Sequence, residues 1–197
     1  IGYGNNVYPA WNGDLAVQPL HGPMELMSHI KGPGDQFRWV DAKDTETRGR
    51  CDLAFEYVYN LLKEWISKEE NRFSYPPTVI HISDGEVKRE YQESFLLNAE
   101  KLKSLHTETG NVTVWNIGYL PVRFKEHVFL SGEELPALTR FPGGLVLYES
   151  SSYLSQRLKN KASSFHKHNP ELARKTMAVN VRFETLFDFL QMCVLPE

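Results

Sequence analysis

Pro76-Pro77-Thr78-Val79-Ile80-His81-Ile82-Ser83-Asp84-Gly85-Glu86 is the stretch on which the reading of the fold turns. Proline locks its own φ, lacks an N–H and pushes the preceding residue out of the helical region, so the pair closes one element and frees the next. Thr78, Val79, Ile80 and Ile82 then form a β-branched run that hardly alternates with polar residues, the pattern of a parallel strand covered on both faces. Asp84-Gly85 ends it with turn chemistry. Upstream, Cys51 to Glu69 places Leu53, Tyr57, Leu61, Leu62, Trp65 and Ile66 at three- and four-residue steps, which predicts an amphipathic helix. Downstream, Tyr91 to His106 repeats that spacing through Phe95, Ala99, Leu102 and Leu105, and Thr109-Gly110 supplies the stop. Asn111 to Tyr119, with Val112, Val114, Trp115 and Ile117, reads as a second buried strand. Helix, strand, helix and strand in this order imply a parallel sheet with helical crossovers.

The flanks are less periodic. Ile1 to Tyr3 and Val7 to Trp11 are short strand-like runs joined by Gly4-Asn5-Asn6, residues that tolerate hairpin geometry. From Gly13 to Arg48 the chain is rich in Gly, Pro and charge, so loops are expected, with a short helix near Pro23 to Ile30 and a strand at Phe37 to Val40. Towards the other end, Gly143-Gly144 introduces the apolar run Leu145 to Tyr148, expected as a strand that ends at Tyr148-Glu149. A helix is expected from Ser152 to Phe165, a last short strand from Met177 to Val181, and a closing helix from Phe183 to Met192. No repeat or linker divides the chain. Its 197 residues, enough to bury a core without disulfides or metals, are expected to form a single α/β domain. The architecture is three-layer and doubly wound, with a mostly parallel sheet and an antiparallel edge strand.

Composition narrows the function classes. A hydrophobic share of 41% and a charged share of 24% are too polar for a membrane protein and too apolar for a disordered one. The formal net charge of -3 gives no overall attraction to nucleic acid or anionic lipid. The richest basic cluster, from Arg157 through His166, Lys167 and His168 to Arg174 and Lys175, reads as a solvated helical surface. Cys51 and Cys193 show no metal or redox spacing, which points to a reducing compartment and a cytoplasmic location.

In an open parallel sheet, ligands bind beyond the carboxyl ends of the strands. Gly4-Asn5-Asn6, Ser83 to Glu86 and the loop Thr45 to Asp52 are expected to share that edge. Ser83 and Asp84 offer the hydroxyl and carboxylate oxygens that a hard cation such as Mg²⁺ prefers, although an Asp before a Gly more often simply caps its own turn. His81 stands an odd number of residues from Asp84 and faces the other side of the strand, as a core histidine. Ser150-Ser151-Ser152 lacks the strained glycine-flanked turn of a hydrolase, and no phosphate-cradling glycine loop occurs.

The central stretch, preceded by a helix ending in Lys63-Glu64-Trp65-Ile66, resembles the von Willebrand factor A-type domain, especially its uncharacterised bacterial branch. Ile1-Gly2-Tyr3-Gly4-Asn5-Asn6 is similar to that branch's second strand and hairpin, Gly110-Asn111-Val112-Thr113-Val114-Trp115-Asn116 to its fifth strand, and Leu186 to Leu190 to its final helix. The resemblance implies a protein-binding or scaffolding module that performs no reaction. It implies a divalent metal, usually Mg²⁺, held by an Asp-x-Ser-x-Ser motif, a Thr from a later loop and an Asp after the fourth strand, and completed by an acidic residue of a partner protein. Asp84 matches the last of these, with Ser83 beside it. The Asp-x-Ser-x-Ser motif, the first strand and the first helix are not in this sequence, so the site is expected to be incomplete in an N-terminally truncated domain. Arg50 or Cys51 stands where the Thr is expected, and Thr47 falls too early. The rim around such a site would comprise Asn5, Asn6, Arg50, Cys51, Asp52 and Glu86. The rival expectation is a Mg-dependent hydrolase or phosphotransferase anchored on Asp84, which would need further carboxylates at the neighbouring strand ends.

Overall fold

The computed structural model describes residues 2–3, 7–8, 49–120, 125–162 and 174–193. Helix α1 (Cys51–Ser67) buries Cys51, Ala54 and Phe55 at its start, where the acidic Asp52 also suits the positive end of the helix dipole. The chain then passes the two prolines into strand β3 (Thr78–Ser83), following the short strands β1 (Gly2–Tyr3) and β2 (Val7–Tyr8) near the start. Helix α2 (Arg89–Ser104) leads through the two-residue strands β4 (His106–Thr107) and β5 (Gly110–Asn111) into β6 (Thr113–Gly118). After these come β7 (His127–Val128), α3 (Leu135–Leu138), α4 (Pro142–Ser150), α5 (Gln156–Ala162), β8 (Met177–Val179) and α6 (Phe183–Cys193).

The main sheet has the order β3-β6-β8-β7. Strands β3 and β6 run parallel in continuous register from Thr78 opposite Thr113 to Ser83 opposite Gly118, β8 is parallel to β6, and β7 lies antiparallel at the edge. The fold is therefore α/β, with a mostly parallel sheet flanked by helices in a Rossmann-like three-layer arrangement. The hairpin expected at the front is present as an antiparallel pair of β1 and β2. The helix near residues 23–30 and the strand at 37–40 fall outside the described residues.

Side-chain alternation along the strands creates two cores. Val79, Val114, Met177 and Val179 face one side and pack with Phe55 of α1, Phe95, Ala99 and Leu102 of α2, and Val146, Leu147 and Tyr148 of α4. Trp115, Ile117 and Ala178 face the other, under Leu158 of α5 and Phe189 and Met192 of α6. Each fully buried side chain of this kind contributes roughly 1.5–3 kcal/mol relative to exposure.

Three expectations are corrected by the structure. The run Leu145 to Tyr148 is part of helix α4, which Pro142 opens at its first turn, a position where the missing N–H has no helical partner anyway. The basic cluster is not solvated throughout: Arg174 and Lys175 are buried, and the Arg174 guanidinium donates to the Phe129 carbonyl at 2.8 Å. The helix expected from Ser152 begins later, at Gln156.

Candidate functional site

The loop after β3 is built to hold one shape. Gly85 has φ +78°, a left-handed conformation that glycine adopts without steric cost. The Ser83 hydroxyl accepts from the Gly85 N–H at 3.2 Å, and the Asp84 Oδ1 accepts from the Glu86 N–H at 3.0 Å. Asp84 thus makes the side-chain turn that its place before glycine favours. On the far side the loop packs against the start of α4 so closely that a Cβ on Gly143 would overlap the Gly85 carbonyl oxygen. What remains outward are the carboxylates of Asp84 and Glu86, both exposed.

Beside this loop, α1 begins where α2 begins. Helix α2 starts at Arg89, a few residues after the end of β3, so its first turn stands at the carboxyl edge of the sheet. The Arg50 guanidinium lies over the Tyr91 ring at 4.0 Å, and the Ser94 hydroxyl donates to Asp52 at 3.2 Å. These contacts put residues 49–52 at the same edge as Asp84. Arg50 also grips Asp52 through two hydrogen bonds of 2.8 Å, a bidentate arrangement that fixes both side chains. Burial raises the Asp52 carboxyl, but the Arg50 hydrogen bonds and charge outweigh it and hold the group below its ordinary value.

Of the residues expected at the rim, Glu86 is exposed and Arg50 partly so, while Cys51 and Asp52 are buried. Burial pushes the Cys51 thiol up to about 12, which keeps it protonated and unreactive. Asn5 and Asn6 lie outside the described residues. Ser83 and Asp84 offer one hydroxyl and one carboxylate, each already accepting a backbone N–H, and among the described residues no group of three or more His, Cys, Asp or Glu converges. A Mg²⁺ ion held by this pair would take the rest of its octahedral shell from water or from other groups.

His81 occupies the position expected for a core histidine. It is 5% exposed, it meets the ring of Phe55 edge-on with centroids 5.1 Å apart, and its Nδ1 lies 2.8 Å from Asn116 Oδ1. The Asn116 amide nitrogen donates to Leu147 O, Ser150 Oγ and Ser151 Oγ. Its oxygen is therefore the acceptor, which makes His81 Nδ1 the donor.

Sequence reasoning missed Lys175, which lines a cavity at the opposite edge of the sheet. Lysine is almost never buried without a partner, so nothing in a run of cations marked this one. The only signal was its place just before the apolar run Met177 to Val179.

The two cysteines are free and buried, and among the described residues no helix is long and apolar enough to cross a membrane. Comparison with protein-family profiles, with curated proteins and with solved structures found no match.

Proposed function

We propose that this chain is a protein-binding or scaffolding module of von Willebrand factor A type, contacting its partner through the edge around Asp84, and that it performs no reaction. The observation that carries this reading is the Ser83 to Glu86 loop. It presents two exposed carboxylates on a turn fixed by its own hydrogen bonds and by contact with Gly143, at the sheet edge where α1 opens with the Arg50–Asp52 pair. A preformed loop costs little ordering entropy when a partner docks. Charged groups on such a rim govern orientation and association rate more than raw affinity. The chemistry of the rim favours a partner that brings a basic residue to the two carboxylates. With one hydroxyl and one carboxylate at the end of β3, the contact in this reading rests on the rim itself.

An Asp84-anchored hydrolase or phosphotransferase would draw further carboxylates from adjacent strand ends, where Tyr119 and Asn180 follow β6 and β8. Nothing in these positions favours it.

The test is affinity capture from an extract of the native host by the immobilised chain, in parallel with Asp84→Ala and Glu86→Ala chains of unchanged melting temperature. Proteins retained by the parent chain should be lost from both variants, and adding Mg²⁺ or a chelator should make no difference. Retention of the same proteins by the variants, or chelator-sensitive retention that depends on Asp84, would overturn the reading in its present form.

A further inference from the structure

Lys175 stands two residues before β8, bridged to Tyr153 by an isolated antiparallel pairing. It marks the amino edge of the sheet, opposite Asp84. Although a cation, it is only 7% exposed. Its Nζ donates to the Ser151 carbonyl at 2.9 Å and stands 3.8 Å from the Tyr153 ring centroid and 5.8 Å from that of Tyr148. An ammonium carries three donor hydrogens. The carbonyl takes one, and the aromatic rings offer only their faces.

Among the described residues no carboxylate lies within salt-bridge distance of Lys175 Nζ. Glu100 is engaged by Lys103 at 2.6 Å, and Glu149 is exposed. A buried cation without a counter-ion is costly. The side chain lines an open cavity of about 700 Å³ whose wall also carries Glu100 and Lys103, paired with each other, and Asn111 and Ser155. Burial, and then the like charge of Lys103, lower the Lys175 ammonium to about 8, with Glu100 and Glu149 opposing them. An anion placed in the cavity would relieve both causes.

We propose that this cavity binds a small oxyanion, a carboxylate or a phosphate, held by Lys175 together with Lys103 and oriented by the neutral donors of Asn111 and Ser155. Three separate observations meet here: a cavity, a cation more than nine-tenths buried in its wall with donor capacity left over, and a second lysine beside it. The site is independent of the Asp84 edge and of the function proposed for it.

The test is calorimetric titration of the full chain with inorganic phosphate and, separately, with acetate, at pH 7 and constant ionic strength set by chloride. Saturable single-site binding of at least one is expected, and the tighter of the two assigns the class. Lys175→Met should weaken it at least tenfold, Lys103→Met less, and Asp84→Ala not at all. Should Lys175→Met fail to fold, the unaltered chain still decides: the Lys175 Cε resonance should move on titration with phosphate or acetate and stay in place with chloride. Absence of saturable binding by either anion, binding that survives Lys175→Met, or an unmoved Lys175 resonance would each overturn the proposal.

Discussion

At the scale of single residues, His81 shows most directly how burial sets chemistry. Desolvation lowers its ring from 6.5 to about 4, against the opposing pull of its hydrogen bond to Asn116 and of the Asp84 charge. In the unfolded chain the ring takes up a proton near its ordinary pKa, while the folded chain holds it neutral. The unfolded state therefore binds more protons below about pH 6.5, and stability falls as pH drops through the window from about 6.5 to about 4. The loss contributed by this group is of order 3 kcal/mol at the bottom of the window. Chemical denaturation at pH 7 and at pH 4.5 should show the decline, and His81→Gln should flatten the slope between them. An unchanged slope would mean that another group carries the acid sensitivity. His81 was legible in the sequence because strand alternation turns it away from Asp84. Lys175 was not, because its burial comes from the Tyr153 and Ser151 backbone packed around it, which no local pattern encodes.

At the scale of elements, helices α1 and α2 and strands β3 and β6 form where the sequence places them, since each has a clear period or an unbroken β-branched run between proline and glycine signals. Strand β3 is not covered on both faces as expected, because Ile80 and Ile82 are exposed on one of them. Helix α4 was not placed by the sequence, because a short apolar run is the same pattern in a buried helix and a buried strand. Strand β7, two residues long, is too brief to carry a period at all. The close approach of Gly143 to the Gly85 carbonyl joins α4 to the Asp84 loop, so Gly143→Ala must push one from the other. Overpacking of this kind costs roughly 1–3 kcal/mol, and a lowered denaturation midpoint should report it, whereas a midpoint equal to the parent's would show that the two elements separate freely. Strand β3 pairs with β6 on one side, and among the described residues no strand pairs with the other. Ile80 and Ile82, which continue the row of Trp115 and Ile117 across the register, are 42% and 54% exposed. A free apolar edge is a template for association, so Ile82→Lys is expected to lower self-association in sedimentation without lowering the melting temperature. Equal sedimentation of the two chains would show that this edge is covered in solution.

At the scale of the whole molecule, the alternation of helix and strand sufficed to indicate a parallel, helix-flanked sheet, because crossovers between parallel strands leave little topological freedom. The same architecture places the loop after β3 and the starts of α1 and α2 at the carboxyl edge of the sheet, so Asp84, Glu86 and Arg50 belong to one edge although they are far apart in sequence. The opposite edge gathers Lys175 and Lys103 in the same way, and the two sites are separated by the length of the strands. The proposed protein-binding surface at the Asp84 edge is tested most directly by a photo-crosslinking amino acid placed at Glu86 in the native host, with the same group at the exposed Glu64 of α1 as the comparison. A discrete protein adduct from position 86 that is missing from position 64 is the predicted result. No adduct at position 86, or the same adducts from both positions, would contradict the account.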